Sequence, residues 1–272
     1  MNEVTSCVTG ALPVGEAAPA ASSLADRDTA VPIAASVRTL DLVEALLKQP
    51  GQVDQLLAGG GATLELVSRL LAITLVGFTV FGLALTTLMS IADAPLAWLP
   101  PVRWADGSAL WPILAYDVSV IAACGLCLPS FYFYNVLAGV RIAMTDVVAH
   151  AAKCLARSAL VLVGILPLWV ALVFGELVFG AHVSDLRAGQ ACGLLLPFFA
   201  GLAGVLSLRR GFAVVAERQR QHDDGVVVRA QFLGRLMGAW AAVWTAVTPV
   251  MIYTLWTRLA GHPGAALLLG GR

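Results

Sequence analysis

Charged side chains are scarce in this chain of 272 residues, in which Asp, Glu, Lys and Arg together make up 12%. Soluble domains carry about twice that share. Hydrophobic residues make up 59% of the chain, and the mean hydropathy is +0.84. One soluble core cannot bury that much apolar surface, so the composition predicts a protein of the lipid bilayer. The formal net charge is zero and the basic residues are scattered among loops, which argues against nucleic-acid binding.

The chain also lacks the motifs of common enzyme chemistry. It contains no HExxH metal-binding motif, no glycine-rich phosphate loop and no Ser/His/Asp set. The histidines are dispersed over different predicted loops: His150, His182, His222 and His262. We therefore expect no enzymatic activity, no cofactor and no metal site.

Cysteine is sparse, with five residues, and only Cys124 and Cys127 form a close pair. A redox-active CxxC motif needs a thiolate, which a helix N-terminus or a nearby cation stabilises. Cys124 lies well inside an apolar run, and no Lys or Arg is nearer in sequence than Arg141. We interpret the pair as small apolar packing residues, with a membrane thiol oxidoreductase as the least favoured function.

The first 58 residues differ in composition from the rest. Residues 1–35 contain no aromatic residue and are rich in Ala, Pro, Ser and Gly, which is typical of a disordered tail. Over 36–58, apolar residues recur at helical spacing with charged residues on the opposite side. This pattern predicts an amphipathic cytoplasmic or interfacial helix that lies on the membrane surface or on the helix bundle. The alternative is that 36–58 binds a protein partner.

Five runs of roughly 20 apolar residues follow, each long enough to cross a hydrocarbon core of ~30 Å. The predicted spans are Leu70–Ile91, Ala109–Ser130, Ala159–Ala181, Ala188–Leu208 and Leu236–Trp256. They predict an all-α polytopic membrane helix bundle over 62–258, followed by an external tail over 259–272.

The distribution of basic residues predicts the orientation of this bundle. Thirteen Lys and Arg residues fall on the side of the N-terminus and four on the other side. Because short loops rich in Lys and Arg stay in the cytoplasm, we expect a cytoplasmic N-terminus and an external C-terminus. Aromatic residues collect at the two predicted interfaces, as is usual in membrane proteins: Trp98, Trp104, Trp111 and Trp256 outside, Tyr132 and Tyr134 inside.

Two acidic residues, Asp117 and Glu176, interrupt the apolar spans. An ionised side chain near a helix centre costs roughly 2.5–3.5 kcal/mol on insertion scales, so it usually has a function or a partner. Both residues lie about 8–12 Å below the predicted outer surface, at a rise of 1.5 Å per residue. If their carboxyls face each other, they could hold a proton or a cation. Otherwise each reaches water or pairs with an outer-loop base: Arg103, Arg187 or His182.

Small residues recur at every fourth position of the fifth span: Gly234, Gly238, Ala242 and Ala246. Such a helix-packing stripe allows another helix to approach closely. We expect the stripe to pack within the chain, and packing between copies in a homo-oligomer is the alternative.

Two segments carry a resemblance to a known family: CLPSFYFYNVLAGVR at the end of the second span and WTRLAGHPG after the fifth. They resemble segments of a family of uncharacterised bacterial inner-membrane proteins with five spans and a short cytoplasmic helix before the first. The overall plan is also similar to that of Yip1-type membrane proteins, whose signature motifs this chain lacks. The resemblance implies the topology and a bacterial inner-membrane location, and it brings no activity, ligand or site residue.

These observations favour a non-enzymatic membrane scaffold or accessory subunit, with the tail and 36–58 as its cytoplasmic docking elements. Polar residues are few within the spans, whereas a transporter usually lines its path with more of them. The alternative function is that of a proton- or cation-coupled permease or channel subunit that uses Asp117 and Glu176.

Overall fold

A computed structural model of the protein describes residues 38–58, 64–92, 99–100, 102–180, 182–222 and 230–260. Every regular element in these ranges is a helix, and they contain no strand. The helices are α1 (Thr39–Lys48), α2 (Pro50–Ala58), α3 (Leu64–Ala92), α4 (Leu110–Leu137), α5 (Met144–Val178), α6 (Val183–His222) and α7 (Ala230–Ala260).

Five of these helices, α3 to α7, are long and apolar enough to cross a membrane. Their membrane-compatible stretches are Leu64–Ile91, Leu110–Leu137, Met144–Val178, Ser184–Gln219 and Phe232–Leu259. The prediction of an all-α polytopic bundle with five membrane helices is confirmed. Since α6 has 40 residues, it is about 60 Å long, roughly twice the thickness of a hydrocarbon core. It therefore continues as a helix beyond the bilayer.

The segment predicted as one amphipathic helix over 36–58 forms two helices. α1 ends at Lys48, and α2 begins at Pro50, because proline suits the first turn of a helix but not its interior. Apolar residues on one side of both helices are buried: Leu42, Leu46, Val53 and Leu57. α2 packs against α6 and α5, and α1 packs against α2 and α3. The protein's own helices thus cover this side of the segment.

The long helices pack in a defined order. α3 lies mainly against α5, α5 lies along α6, and α4 lies mainly against α7. α7 contacts α6 much less than it contacts α4. α2 packs where α5 begins and α6 ends. We name that end of the bundle the capped end, and α1 with α2 the cap.

Glycines of α3 and α6 allow the closest helix contacts. A Cβ placed on Gly204 of α6 would lie 2.6 Å from the backbone oxygen of Cys154 in α5. A Cβ on Gly77 of α3 would lie 2.7 Å from the Cβ of Ala159 in α5. Real Cβ atoms do not approach this closely, so these two interfaces require glycine.

The predicted helix-packing stripe of α7 lies elsewhere. In the part of the chain that the structure describes, a Cβ on Gly234 or Gly238 would meet no atom within 4 Å. Three members of the stripe are exposed: Gly238, Ala242 and Ala246. The expectation that the stripe packs within the chain is therefore corrected, because α7 turns a different face to α4. Packing between two copies of the chain stays a prediction.

The orientation of the bundle also stays a prediction, and two exposed alanines in opposite loops can test it. Ala105 precedes α4, and Ala143 precedes α5. With a cytoplasmic N-terminus, a membrane-impermeant maleimide added to intact cells should label Ala105→Cys and should reach Ala143→Cys only after permeabilisation. The parent protein, treated in the same way, gives the background labelling of the native cysteines. The reverse pattern would invert the orientation.

Candidate functional site

Two helices bring ionisable side chains together at the capped end. Asp54 comes from α2, while His150 and Lys153 come from α5. The two α5 residues are three positions apart, so they lie on one face of that helix. All three residues are buried, with exposed fractions of 3%, 0% and 1% respectively. We name these three residues the buried cluster.

Asp54 and Lys153 form a buried ion pair. Lys153 Nζ donates a hydrogen bond to Asp54 Oδ1. Nζ also lies 3.4 Å from the carbonyl oxygen of Ser207 in α6, to which it donates a second hydrogen bond. An isolated charge at this depth would cost several kcal/mol of desolvation free energy. Each of the two charges therefore depends on the other for its burial.

His150 lies beside this pair. Neither ring nitrogen has a hydrogen-bond partner among the described residues. The imidazole packs against the ring of Phe212 in α6 at a centroid distance of 4.9 Å. A Cβ on Gly211 would lie 2.7 Å from His150 Nδ1 and 2.9 Å from Asp54 Oδ1, so glycine leaves the room that both polar atoms occupy. The cluster thus places an imidazole without a hydrogen-bond partner among the described residues beside a carboxylate and an ammonium group.

A second cation of α5 contacts the other helix of the cap. Arg157 Nη1 donates to the carbonyl oxygen of Leu46 in α1 at 2.7 Å. Leu46 is in the last turn of α1, where free carbonyls carry the negative end of the helix dipole. Lys153 and Arg157 are four residues apart on α5, so one face of α5 binds both helices of the cap.

The two predicted intramembrane acids contact different helices. Asp117 of α4 accepts a hydrogen bond from Thr79 Oγ1 of α3 at 2.7 Å. Glu176 of α5 faces α6, where a Cβ on Gly189 would lie 2.9 Å from its Oε2. Asp117 Oδ1 and Glu176 Oε2 are buried without a hydrogen-bond partner in the described ranges. No hydrogen bond within those ranges joins the two acids, so the structure does not bring them together as one site.

The cysteine pair lies in the core of the bundle. Cys124 and Cys127 are both buried, and their thiols are free. Trp240 of α7 donates from Nε1 to the backbone oxygen of Cys127 at 3.0 Å. These contacts agree with the interpretation of both cysteines as packing residues.

The sequence pattern did not predict the buried cluster. The predicted spans place Lys153 and His150 in a loop. In the structure both residues lie inside α5, which begins at Met144. The available signal was the small-residue run VVAHAAKCLARSAL, in which His150, Lys153 and Arg157 share one helical face. Asp54 gave no such signal, because its partner is 99 residues away along the chain.

Metal ligation has no support in the described residues, where no group of three or more His, Cys, Asp and Glu side chains could hold an ion.

Comparisons with known proteins found no matching family model, no matching curated protein and no matching solved structure. The resemblance to five-span bacterial inner-membrane proteins and the inner-membrane location therefore stay predictions. The five apolar helices support the coarser statement that this is a multi-pass integral membrane protein in contact with the lipid bilayer.

Proposed function

We propose that the protein is a proton-coupled permease or channel subunit, and that the buried cluster is where it takes up a proton. The observation that carries the proposal is the fully buried imidazole of His150 beside the Asp54–Lys153 ion pair. Ionisable groups inside membrane helices are costly to keep, and they commonly belong to ion pathways or proton relays. The principal site of this function is then the buried cluster at the capped end rather than Asp117 and Glu176.

A proton on His150 would change the charge balance of the cluster. With a neutral imidazole, the positive charge of Lys153 matches the negative charge of Asp54. A protonated imidazole adds a second cation near the same carboxylate, and like charges repel strongly where water is excluded. This repulsion acts within α5, which carries both cations, whereas the carboxylate of Asp54 on α2 is attracted by each of them. Proton uptake would therefore change which cation of α5 Asp54 contacts, and with it the position of the cap.

The two intramembrane acids would continue the proposed proton path toward the opposite end of the bundle. Asp117 lies in the third turn of α4, and Glu176 lies two residues before the end of α5. Each has one buried carboxyl oxygen without a hydrogen-bond partner among the described residues. They are the proton-binding groups that a path away from His150 would use.

His150→Phe is the variant that tests the proposal. Phenylalanine keeps an aromatic ring against Phe212 and leaves no charge unpaired, so the fold should be retained. In liposomes that contain the purified protein and a trapped pH dye, proton flux down an imposed pH gradient should fall by about tenfold or more, since the proton acceptor is lost.

Glu44→Gln supplies the matched control. Glu44 pairs with Lys48 on the exposed side of α1, so its loss should leave the proton flux unchanged. If the proton flux through His150→Phe equals that through the parent protein, the buried cluster is not part of the proton path. A parent protein that conducts no faster than empty liposomes would contradict proton coupling altogether.

A membrane scaffold or accessory subunit is the second candidate, and the outer face of α1 favours it. Leu40 and Leu47 are 78% and 60% exposed there, although the opposite face of α1 is covered by the bundle. A partner would therefore bind these two leucines rather than the whole of 36–58. A thiol oxidoreductase is the weakest candidate, because Cys124 and Cys127 are buried.

A further inference from the structure

The apolar face of α1 is wider than its contact with the bundle. Leu42 and Leu46 are buried, whereas Leu40 and Leu47 are 78% and 60% exposed. The two exposed leucines are seven residues apart, so they lie on one stripe of the helix, with the partly exposed Val43 between them. We name these three residues the leucine stripe. Part of the apolar face of α1 is therefore uncovered by the described helices.

The leucine stripe adjoins the buried side of α1 without a polar residue between them. At about 100° per residue, the stripe and the buried pair together occupy a continuous arc of about 160° around the helix. The charged residues of this region lie within the remaining arc: Arg38, Asp41, Glu44 and Lys48. One part of the apolar arc thus rests on the bundle, the next part faces sideways from it, and the charged arc is left for water.

The contacts of α1 place it at the level where the bundle enters the lipid. Arg157 is the last charged residue of α5 before the uncharged run 158–175, and in α6 the uncharged run 188–208 is followed by the exposed Arg209. Because a charge within the hydrocarbon is costly, the lipid boundary at the capped end lies near these two arginines. Arg157 Nη1 donates to the carbonyl oxygen of Leu46 in the last turn of α1 at 2.7 Å. α1 also packs against α3, the first membrane helix. The leucine stripe is therefore beside the membrane surface.

We propose that the leucine stripe inserts into the boundary between the headgroups and the acyl chains of the bilayer, so that α1 lies in the corner between the bundle and the membrane surface. The two basic and two acidic residues of the charged arc balance, so this contact needs no anionic lipid. The inference does not depend on proton transport. It assigns to lipid the same two leucines that a scaffold would offer to a protein partner, and the experiment distinguishes the two.

A photoreactive side chain on the stripe identifies what the stripe touches. Leu47→p-benzoylphenylalanine and, separately, Leu40→p-benzoylphenylalanine are made in the full-length protein, purified and irradiated in nanodiscs of phosphatidylcholine. The benzophenone ketone inserts into C–H bonds in contact with it, including those of acyl chains. Mass spectrometry should find a covalent phosphatidylcholine adduct on the α1 peptide of both variants. Both positions are exposed, so the buried contacts of Leu42 and Leu46 should hold α1 in place.

Lys48→p-benzoylphenylalanine is the matched control. Lys48 follows Leu47 directly and its side chain is 72% exposed, but it lies in the charged arc. Its phosphatidylcholine adduct should be at least about fivefold weaker than that of position 47, because an interfacial helix turns its charged side to water.

Three results would overturn the proposal. Equal adducts at positions 47 and 48 would show chance collisions with lipid, and no lipid adduct at positions 40 and 47 would place the stripe in water. The third is a cross-link from these positions to 1–37 of the chain or, when the variants are irradiated in cell membranes, to another protein. In that case protein rather than lipid covers the leucines.

Discussion

Lys153→Met is expected to lower the free energy of unfolding by about 3–5 kcal/mol, because it leaves the Asp54 carboxylate buried without its partner. The side chain of Asp54 is 4% exposed, so water cannot replace the lost ammonium. The loss should appear first at the cap, since Asp54 is the charged attachment of α2. Thermal or denaturant unfolding in detergent, followed by circular dichroism, measures the change.

The double variant Asp54→Leu with Lys153→Met distinguishes a loss of stability that comes from an unpaired charge from one that comes from lost packing. It removes both charges and keeps apolar volume at both positions, so it should recover most of the stability of the parent protein. The matched control is Lys48→Met, which breaks the exposed Glu44–Lys48 pair. The pKa of Glu44 lies below its ordinary value because Lys48 donates a hydrogen bond to it, yet solvent screens this pair. The unfolding transition of that control should not move.

If Lys153→Met unfolds like the parent protein, the ion pair does not hold the cap. If the double variant is as unstable as the single one, the loss comes from packing rather than from an unpaired charge. Either result would also weaken the coupling between His150 and the cap that the proposed function requires.

Gly204→Ala is expected to destabilise the contact between α5 and α6 by about 1–3 kcal/mol, as overpacking does in a close-packed core. The added methyl would lie 2.6 Å from the backbone oxygen of Cys154. A flexible side chain could move away, whereas a backbone oxygen moves only with its helix. The two helices must separate, and the same displacement reaches Gly211 of α6 and the two cluster residues of α5, His150 and Lys153.

Gly238→Ala is the matched control for this second prediction. It also replaces a helical glycine, but there a new methyl meets no atom within 4 Å. Since alanine is the better helix former, the variant should be neutral or more stable by up to about 1 kcal/mol. Unfolding measured under identical detergent conditions compares the two variants. A larger loss in Gly238→Ala would place the tight contact at the α7 stripe, as expected for contact between two copies.

The membrane architecture could be predicted because of a strong physical constraint. A helix that crosses the bilayer must be a continuous apolar run of roughly 20 residues, and such runs are visible without any tertiary information. The helix ends were less visible: the fourth span was predicted to end at Leu208, whereas α6 continues to His222. Charged residues mark the exit from the lipid, but they do not end a helix.

The site could be predicted only in part. Asp117 and Glu176 were identified because any charge in an apolar span stands out, but their partners, Thr79 of α3 and the Gly189 region of α6, depend on how the helices turn. Lys153 looked like an ordinary loop cation. Its burial is visible only once α2 is known to pack against α5.

The residue pattern along the chain is sufficient to predict an all-helical membrane protein with five long apolar helices and a short amphipathic segment before them. The pairing of Asp54 with Lys153, and the tight contact at Gly204 rather than at the α7 stripe, are visible only in the packed bundle. The reason is that the pattern along one helix reports which of its faces is apolar. Which neighbour covers that face is decided by the packing of all the helices together.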